Sequence, residues 1–449
     1  MLGTLARSME FRESAAAGLP QRGLRSTFRL LRRNPAFTRL YAAQLISMAG
    51  DWFLIVALYG LALELTGSAL AASGVLVAHL VPFFLVSPFG GVLADRLDRR
   101  RLMIAADVLR AGVCVGFLVI DRSGEIWLMF VLIAGLSSLN ALFDPAATAA
   151  VPNLVDPEDL PAANVLSGSA WGAMLAVGAA LGGLIAGVFG RETAFLVDAG
   201  SFVASAALLL TVRRAFSEAR EGEHPSLRAA IVETVRYARG DRRVTALLAV
   251  KGGFGLGGGV IGLLPVFATQ VFGGGDGAIG VLLAARGLGA LVGPFLARRW
   301  VRNEDHRLFS AIASAMALFG VFYLVFPLAG SLAVAAPLAA GAHLGGGAQW
   351  TLSTYGLQVV TPDRIRGRVF AFDFMLVTAS MTVSSLLAGW AAGHAGPRVV
   401  MAVLAAVALA YALIWAALTK RLRAGLRAGD SLRSSYEGAF GGAGGDPPA

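Results

Sequence analysis

The sequence predicts an all-α membrane protein, with twelve transmembrane helices in two six-helix bundles. Three observations predict it. Hydrophobic residues fill 56% of the 449 positions and charged residues only 15%, whereas a soluble domain carries about 25% charged residues. The apolar residues gather into twelve runs, each near the roughly 20 residues that a helix needs to cross the hydrocarbon. The basic residues favour alternate links between those runs, the pattern of the positive-inside rule.

The first run, 40–65, follows a polar, arginine-rich tail over 1–35. That tail lacks an apolar stretch with a small-residue cleavage site, so the first run is expected to act as the targeting anchor. Runs at 70–93, 102–120, 126–151, 163–189 and 193–212 complete a first bundle over 36–212. A link over 213–243 begins polar and becomes an amphipathic helix at 227–237, with Leu227, Ile231, Val232 and Val235 on one face. Such a basic helix suits the inner leaflet. Runs at 244–271, 278–300, 308–328, 332–360, 369–394 and 399–418 form a second bundle over 244–419. Each run is apolar on most faces, as a helix in lipid must be. The remainder, 420–449, is charged and then Gly-rich and reads as a disordered tail. The halves repeat at an offset of about 205 residues, with Val155 to Leu160 mapping near Val360 to Ile365.

Charge fixes the expected topology. Of 38 Lys and Arg residues, 32 fall in the two tails and the alternate links, while the opposite links carry Arg122, Arg191 and Arg398. Arg110, Lys251 and Arg286 lie inside runs. Both termini are therefore expected in the cytoplasm, and the net charge of +10 reflects membrane topology rather than nucleic-acid binding. Thirty-six of the basic residues are Arg and two are Lys, a bias that points to a GC-rich bacterial genome. The lone Cys114 excludes an intrachain disulfide and reads as a core thiol.

One link carries a distinct motif, Gly91-Val-Leu-Ala-Asp95-Arg96-Leu-Asp-Arg99-Arg100. Gly91 permits close helix approach. Asp95 suits the N-terminus of a helix from the other half, where its charge meets the dipole. Arg96, Arg99 and Arg100 suit carboxylates and lipid phosphates. The plainer reading is an ordinary basic loop. The spacing G-x-x-x-D-R-x-x-R-R resembles the loop between helices 2 and 3 of the major facilitator superfamily of secondary transporters. That resemblance implies a gate that latches the halves in the outward-facing state. Asp107 and Arg110, three apart near the cytoplasmic end of the third run, can pair with each other or with this link and read as structural and gating residues.

Further segments resemble the branch holding the enterobactin and macrolide exporters. They are Gln44 to Asp51, Asp107-x-x-Arg110, Asp144-Pro145, Phe195-Leu-Val-Asp198 and Pro362-Asp-Arg-Ile-Arg-Gly367-Arg368-Val369. The resemblance spans residues 30–420. One departure stands out. Gly178-Ala179-Ala-Leu-Gly182-Gly183 lacks the proline of the family's antiporter pattern G-P-x-x-G-G, which weakens a claim of antiport resting on it.

Charges inside apolar runs are functional candidates. Asp51 lies about 16 Å along the first helix from Leu40, near mid-membrane. It reads as a proton-coupling acid or as a structural helix-to-helix hydrogen bond. His343, near the middle of the tenth run, reads as a proton carrier or a satisfied core histidine. Lys251 and Arg286 either snorkel or neutralise a carboxylate. Asp144, Asp198 and Asp373 read first as packing or gating residues. In the resembled fold, helices 1, 4, 7 and 10 line a central cavity, which makes Gln44, Asn140, Gln349, Trp350 and Ser353 the candidate lining. The plainer role for Gln349 and Ser353 is hydrogen bonding between helices.

Gly253-x-Gly255-x-x-Gly258 matches a dinucleotide fingerprint but has no preceding strand, so it reads as packing. Neither lysine stands in a phosphate-binding loop, and no His or Cys cluster has metal-ligand spacing, so no cofactor or metal is expected. The expectation is a monomeric transporter in a bacterial cytoplasmic membrane, exporting an amphipathic drug or siderophore in exchange for protons and touching lipid but no nucleic acid. A lysophospholipid flippase is the alternative within transport. A membrane enzyme or sensor is the alternative of another class, and it lacks a catalytic constellation.

Overall fold

Asn34 and Pro35 start the first membrane helix, α1 (Pro35–Thr66). The Asn34 side chain accepts a hydrogen bond from the Phe37 amide at 3.0 Å, and Pro35 needs no donor there. Gly67 ends it in the left-handed conformation, φ 58°. Ser68 then caps α2 (Ala69–Arg96), and Asp98 caps α3 (Arg99–Gly116) through the Arg101 amide at 2.8 Å. The first half continues with α4 (Ile126–Leu154), α5 (Leu160–Phe189) and α6 (Arg191–Leu210). The second holds α7 (Arg242–Val271), α8 (Asp276–Val301), α9 (Asp305–Val325), α10 (Leu332–Val360), α11 (Asp363–Ala395) and α12 (Pro397–Leu418). Short helices at Leu24–Arg33 and Lys420–Arg427 flank the set.

This computed structural model describes residues 24–156, 158–212, 216, 236–301 and 304–428. The amphipathic helix expected at 227–237 and the tail beyond 428 lie outside the described residues, apart from positions 236 and 237. Among the described residues there is no strand, and eleven helices are long and apolar enough to cross a membrane. The twelfth is α10, with 29 residues. His343, Gln349 and the Gly345–Gly347 run make it more polar than the rest.

The halves pack alike. In the first, α1 lies on α5 and α6, α2 on α4, and α3 on α4 and α6. In the second, α7 lies on α11 and α12, α8 on α10, and α9 on α10 and α12. The junction repeats too, with α5 crossing α8 and α2 crossing α11. Gly190 and Gly396, 206 positions apart, enter α6 and α12 with φ 85° and 82°. Their ψ values of 160° and 150° place both in a region open essentially to glycine alone. The internal repeat is therefore present in packing and in backbone conformation.

Small residues make the α5–α8 crossing. A Cβ on Gly183 would lie 2.7 Å from the Gly280 Cα, and one on Gly172 would lie 3.2 Å from the Leu291 Cα. Without side chains there, the two backbones approach closely. Of the glycines in the proline-less antiporter pattern, Gly183 serves this crossing, while Gly178 packs on Trp52 and Gly182 on Phe53 of α1. Large apolar side chains at Leu184, Val188, Leu210, Leu413 and Leu418 are exposed and suit lipid contact.

Several helix ends move by a few residues, and two departures bear on the motifs. The eleventh helix begins at Asp363, before the expected 369, and so takes most of the Pro362-to-Val369 motif into the helix. α7 is broken at Gly258 into Arg242–Gly257 and Gly259–Val266, followed by a π-helical turn over Phe267–Val271.

Candidate functional site

Among the described residues, two buried polar clusters stand inside the bundles, one in each half. The first joins α1, α3, α4 and α6. Asp107 and Arg110 lie three residues apart on one face of α3 and form an ion pair, with side chains 0% and 1% exposed. The Ser205 hydroxyl donates to Asp107 Oδ2 at 2.7 Å. Arg110 donates through Nη1 to the Asn140 Oδ1 atom, and Asn140 Nδ2 donates to Asp51 Oδ1 at 3.4 Å. Two aromatic rings sandwich the guanidinium, Phe143 at 4.5 Å and Phe202 at 4.3 Å. Asp51, partly exposed, forms the open rim of the chain.

Asp198 lies beside this chain, buried, accepting from Cys114 Sγ at 3.2 Å and Ser201 Oγ at 3.1 Å. Gly50 is why it fits: a Cβ there would overlap Asp198 and Ser201. Asp144, which the sequence suggests for packing or gating, is exposed on the α4 face that carries Asn140, one turn away. Four carboxylates thus gather around one guanidinium.

The second cluster joins α7, α10 and α11. Lys251 Nζ lies 3.1 Å from Asp373 Oδ2 and 3.0 Å from Thr354 Oγ1. It also sits 4.0 Å above the Trp350 ring, which stands T-shaped to Phe254 with centroids 5.8 Å apart. Lys251 therefore neutralises a carboxylate, one of the two roles its position allows. Sequence reasoning named both residues without pairing them, because 122 positions separate them.

The other candidate residues divide. His343 is buried and bonds the Tyr323 hydroxyl at 3.0 Å, against the Phe319 ring. It occupies a satisfied core position. Gln349 is buried, Gln44 is partly exposed, and Trp350 presents its ring to Lys251. Ser353 turns onto its own helix, donating to the Trp350 carbonyl at 3.0 Å, so its hydroxyl is engaged within α10.

The basic link is a clamp within the first half. Arg99 donates to the carbonyls of Ala94, Ala149 and Phe216, and Arg100 to those of Leu209 and Leu210. These contacts tie the α2–α3 corner to the ends of α4 and α6. Carbonyls at helix C-termini suit cations because they are orphaned and carry the negative end of the dipole. Arg96 is exposed. The Asp95 side chain lies outside the described residues. Gly91 needs correction: nothing lies within 4 Å of a Cβ built there, and the close approach falls one residue earlier, where Gly90 meets the Ala141 carbonyl of α4.

The end of the molecule away from this link is tied across the halves. Arg191 at the start of α6 pairs with Asp276 of α8 at 2.8 Å and with Glu64 of α1. Gln270 Nε2 donates to the Gly67 carbonyl at 2.9 Å. Near this end α1 is buried continuously from Leu54 to Leu63, whereas residues 41–53 mix buried with partly exposed positions and Ile46 is exposed.

The transmembrane secretion effector family model matches residues 26–437. The chain belongs to that family. It is a branch of the major facilitator superfamily, and its members are transporters rather than enzymes. Among relatives, the multidrug efflux pump Tap of Mycolicibacterium fortuitum is 28% identical over 371 residues, 80% of this chain and 89% of that protein. The putative bacilysin exporter BacE of Bacillus subtilis is 27% identical over 364 residues, 78% of this chain and 86% of that one. Solved structures share the fold. A POT family transporter in complex with 5-aminolevulinic acid superposes with TM-score 0.72 at 11% identity, covering 90% of this chain and 99% of that one. A bacterial homologue of the lysosomal transporter Spinster, inward-facing, gives 0.65 at 17%, covering 87% and 98%.

Proposed function

We propose that this transmembrane secretion effector exports amphipathic small molecules, drugs or siderophores, in exchange for protons. It does so by alternating access, as a monomer in a bacterial cytoplasmic membrane with both termini inside. On this reading the basic links face the cytoplasm, the Arg191–Asp276–Glu64 tie closes the outer end, and Asp51 is reached from inside. The observation that carries the reading is the chain from Asp51 through Asn140 and Arg110 to Asp107. Its carboxylates outnumber its cation, and its rim residue is accessible, so it can take up and release a proton. With Ser205 bonded to Asp107, the chain links four helices of one half, so a change of charge at Asp51 bears on their packing.

Relatives support the direction, since an efflux pump and an exporter match most of the chain. In the transport cycle, Gly91, Asp95, Arg96, Arg99 and Arg100 form the inner gate, and Gln44, Asn140, Gln349 and Trp350 line the path. The test is retention of labelled drugs by cells expressing the protein, with and without a protonophore. Lower retention that the protonophore abolishes is expected. Unchanged retention across a broad panel of drugs and siderophores, with membrane expression verified, overturns the reading.

A further inference from the structure

Arg286 differs from the other cations held inside the helices. Buried Arg110 has Asp107, buried Lys251 has Asp373, partly exposed Arg191 has Asp276 and Glu64, and buried Arg99 donates to three backbone carbonyls. Arg286 is 9% exposed, its Nε is buried without a hydrogen-bond partner, and among the described residues no carboxylate pairs with it. The groups in electrostatic reach are the hydroxyls of Tyr59 and Tyr323 and the ring of His343. A guanidinium held so far from a counter-ion is costly in a membrane interior and is retained where something needs it.

Its direction follows from helix geometry. Val281, Leu288 and Phe295, spaced by seven, form the exposed stripe of α8. Gly280 and Gly287 face α5, and Gly289 and Gly293 face α10. At about 100° per residue, Arg286 falls between those two packed faces and away from the exposed stripe. It points to the junction of the halves. Trp171 of α5 lies there, with the guanidinium carbon 5.8 Å from its ring centre. Trp171 is 46% exposed, yet it shares a face with Gly178 and Gly182, which pack on α1, and its ring stands T-shaped to Trp52 of α1 with centroids 6.0 Å apart. Its exposed surface therefore opens inward, not to lipid.

We propose that Arg286 is the anion subsite of the transport path, taking the carboxylate of an aromatic or amphipathic substrate whose apolar body lies against Trp171 and Trp52. A planar guanidinium with unused donors matches a carboxylate in two parallel hydrogen bonds, and the indoles provide a flat apolar wall. The site draws on α1, α5 and α8, hence on both halves, so a bound carboxylate bridges them. This assignment rests on the transport reading above and narrows its substrate class to carboxylates.

The test uses the full-length protein in nanodiscs, with tryptophan fluorescence as the readout. The probes are 2-naphthoate and its neutral analogue 2-naphthamide, and N-acetylphenylalanine with its amide. Each carboxylate is expected to bind saturably and at least tenfold tighter than its amide. Arg286→Gln is expected to remove that preference, so that each acid binds no tighter than its amide. Arg286→Lys, which keeps the charge without the fork, is expected to retain part of it and covers the case in which the Gln variant does not fold. Equal binding of acid and amide, no saturable binding of either acid, or an undiminished preference in Arg286→Gln overturns the assignment. Protonophore-sensitive transport in everted vesicles is measured alongside. Its loss in the wild type contradicts the transport reading, whereas transport without carboxylate preference contradicts the subsite alone.

Discussion

Asp107 and Arg110 need each other, and Asp51 needs neither in the same way. Arg110→Ala would leave the buried Asp107 carboxylate without its cation, and breaking a buried pair costs about 3–5 kcal/mol. A markedly lower Tm in detergent is expected. Asp51 sits at the partly exposed rim with one long hydrogen bond, so Asp51→Asn should change Tm little. The second half offers a parallel test. Lys251→Ala or Asp373→Ala alone strands a buried charge, and the double variant strands none. The double variant is expected to be more stable than either single one, a coupling read from a double-mutant cycle. The residue types of these clusters were legible in the sequence, because charges in apolar runs stand out. The pairing of Lys251 with Asp373 was not legible, because only the tertiary fold brings α7 and α11 together.

At the scale of elements, lipid made the helices legible. A spanning segment must satisfy its own backbone and be long and apolar, and both demands are written locally. Which face of a helix packs is written less clearly when most faces are apolar. The assignment of close packing to Gly91 failed on that point, since Gly90 is the residue pressed on Ala141. Gly90→Val is accordingly expected to lower Tm by several degrees, and Gly91→Ala to leave it unchanged. Helix ends were less legible than helix centres. α11 begins at Asp363 because Pro362, with its fixed φ and missing N–H, can stand at the cap, and hydropathy alone does not see a charged first turn.

For the whole molecule, the two halves meet along the α5–α8 and α2–α11 crossings. The Arg191–Asp276–Glu64 tie and the Gly183–Gly280 crossing hold the end away from the basic links. Arg191→Ala removes the cation from both carboxylates and should shift the population toward opening at that end. The check is labelling of a cysteine placed at Tyr59, buried in the present state, in a Cys114→Ser background: faster reaction with an impermeant maleimide from outside is expected. The repeat of packing between halves, seen faintly in the sequence, supports a rocking motion about the central site.

The most direct test of the central claim is drug uptake into everted membrane vesicles under an imposed pH gradient, comparing wild type with Asp51→Asn. The wild type is expected to accumulate drug only while the gradient lasts. The variant should be present at normal levels and unable to use the gradient. Gradient-driven uptake that persists undiminished in Asp51→Asn would contradict proton coupling through Asp51.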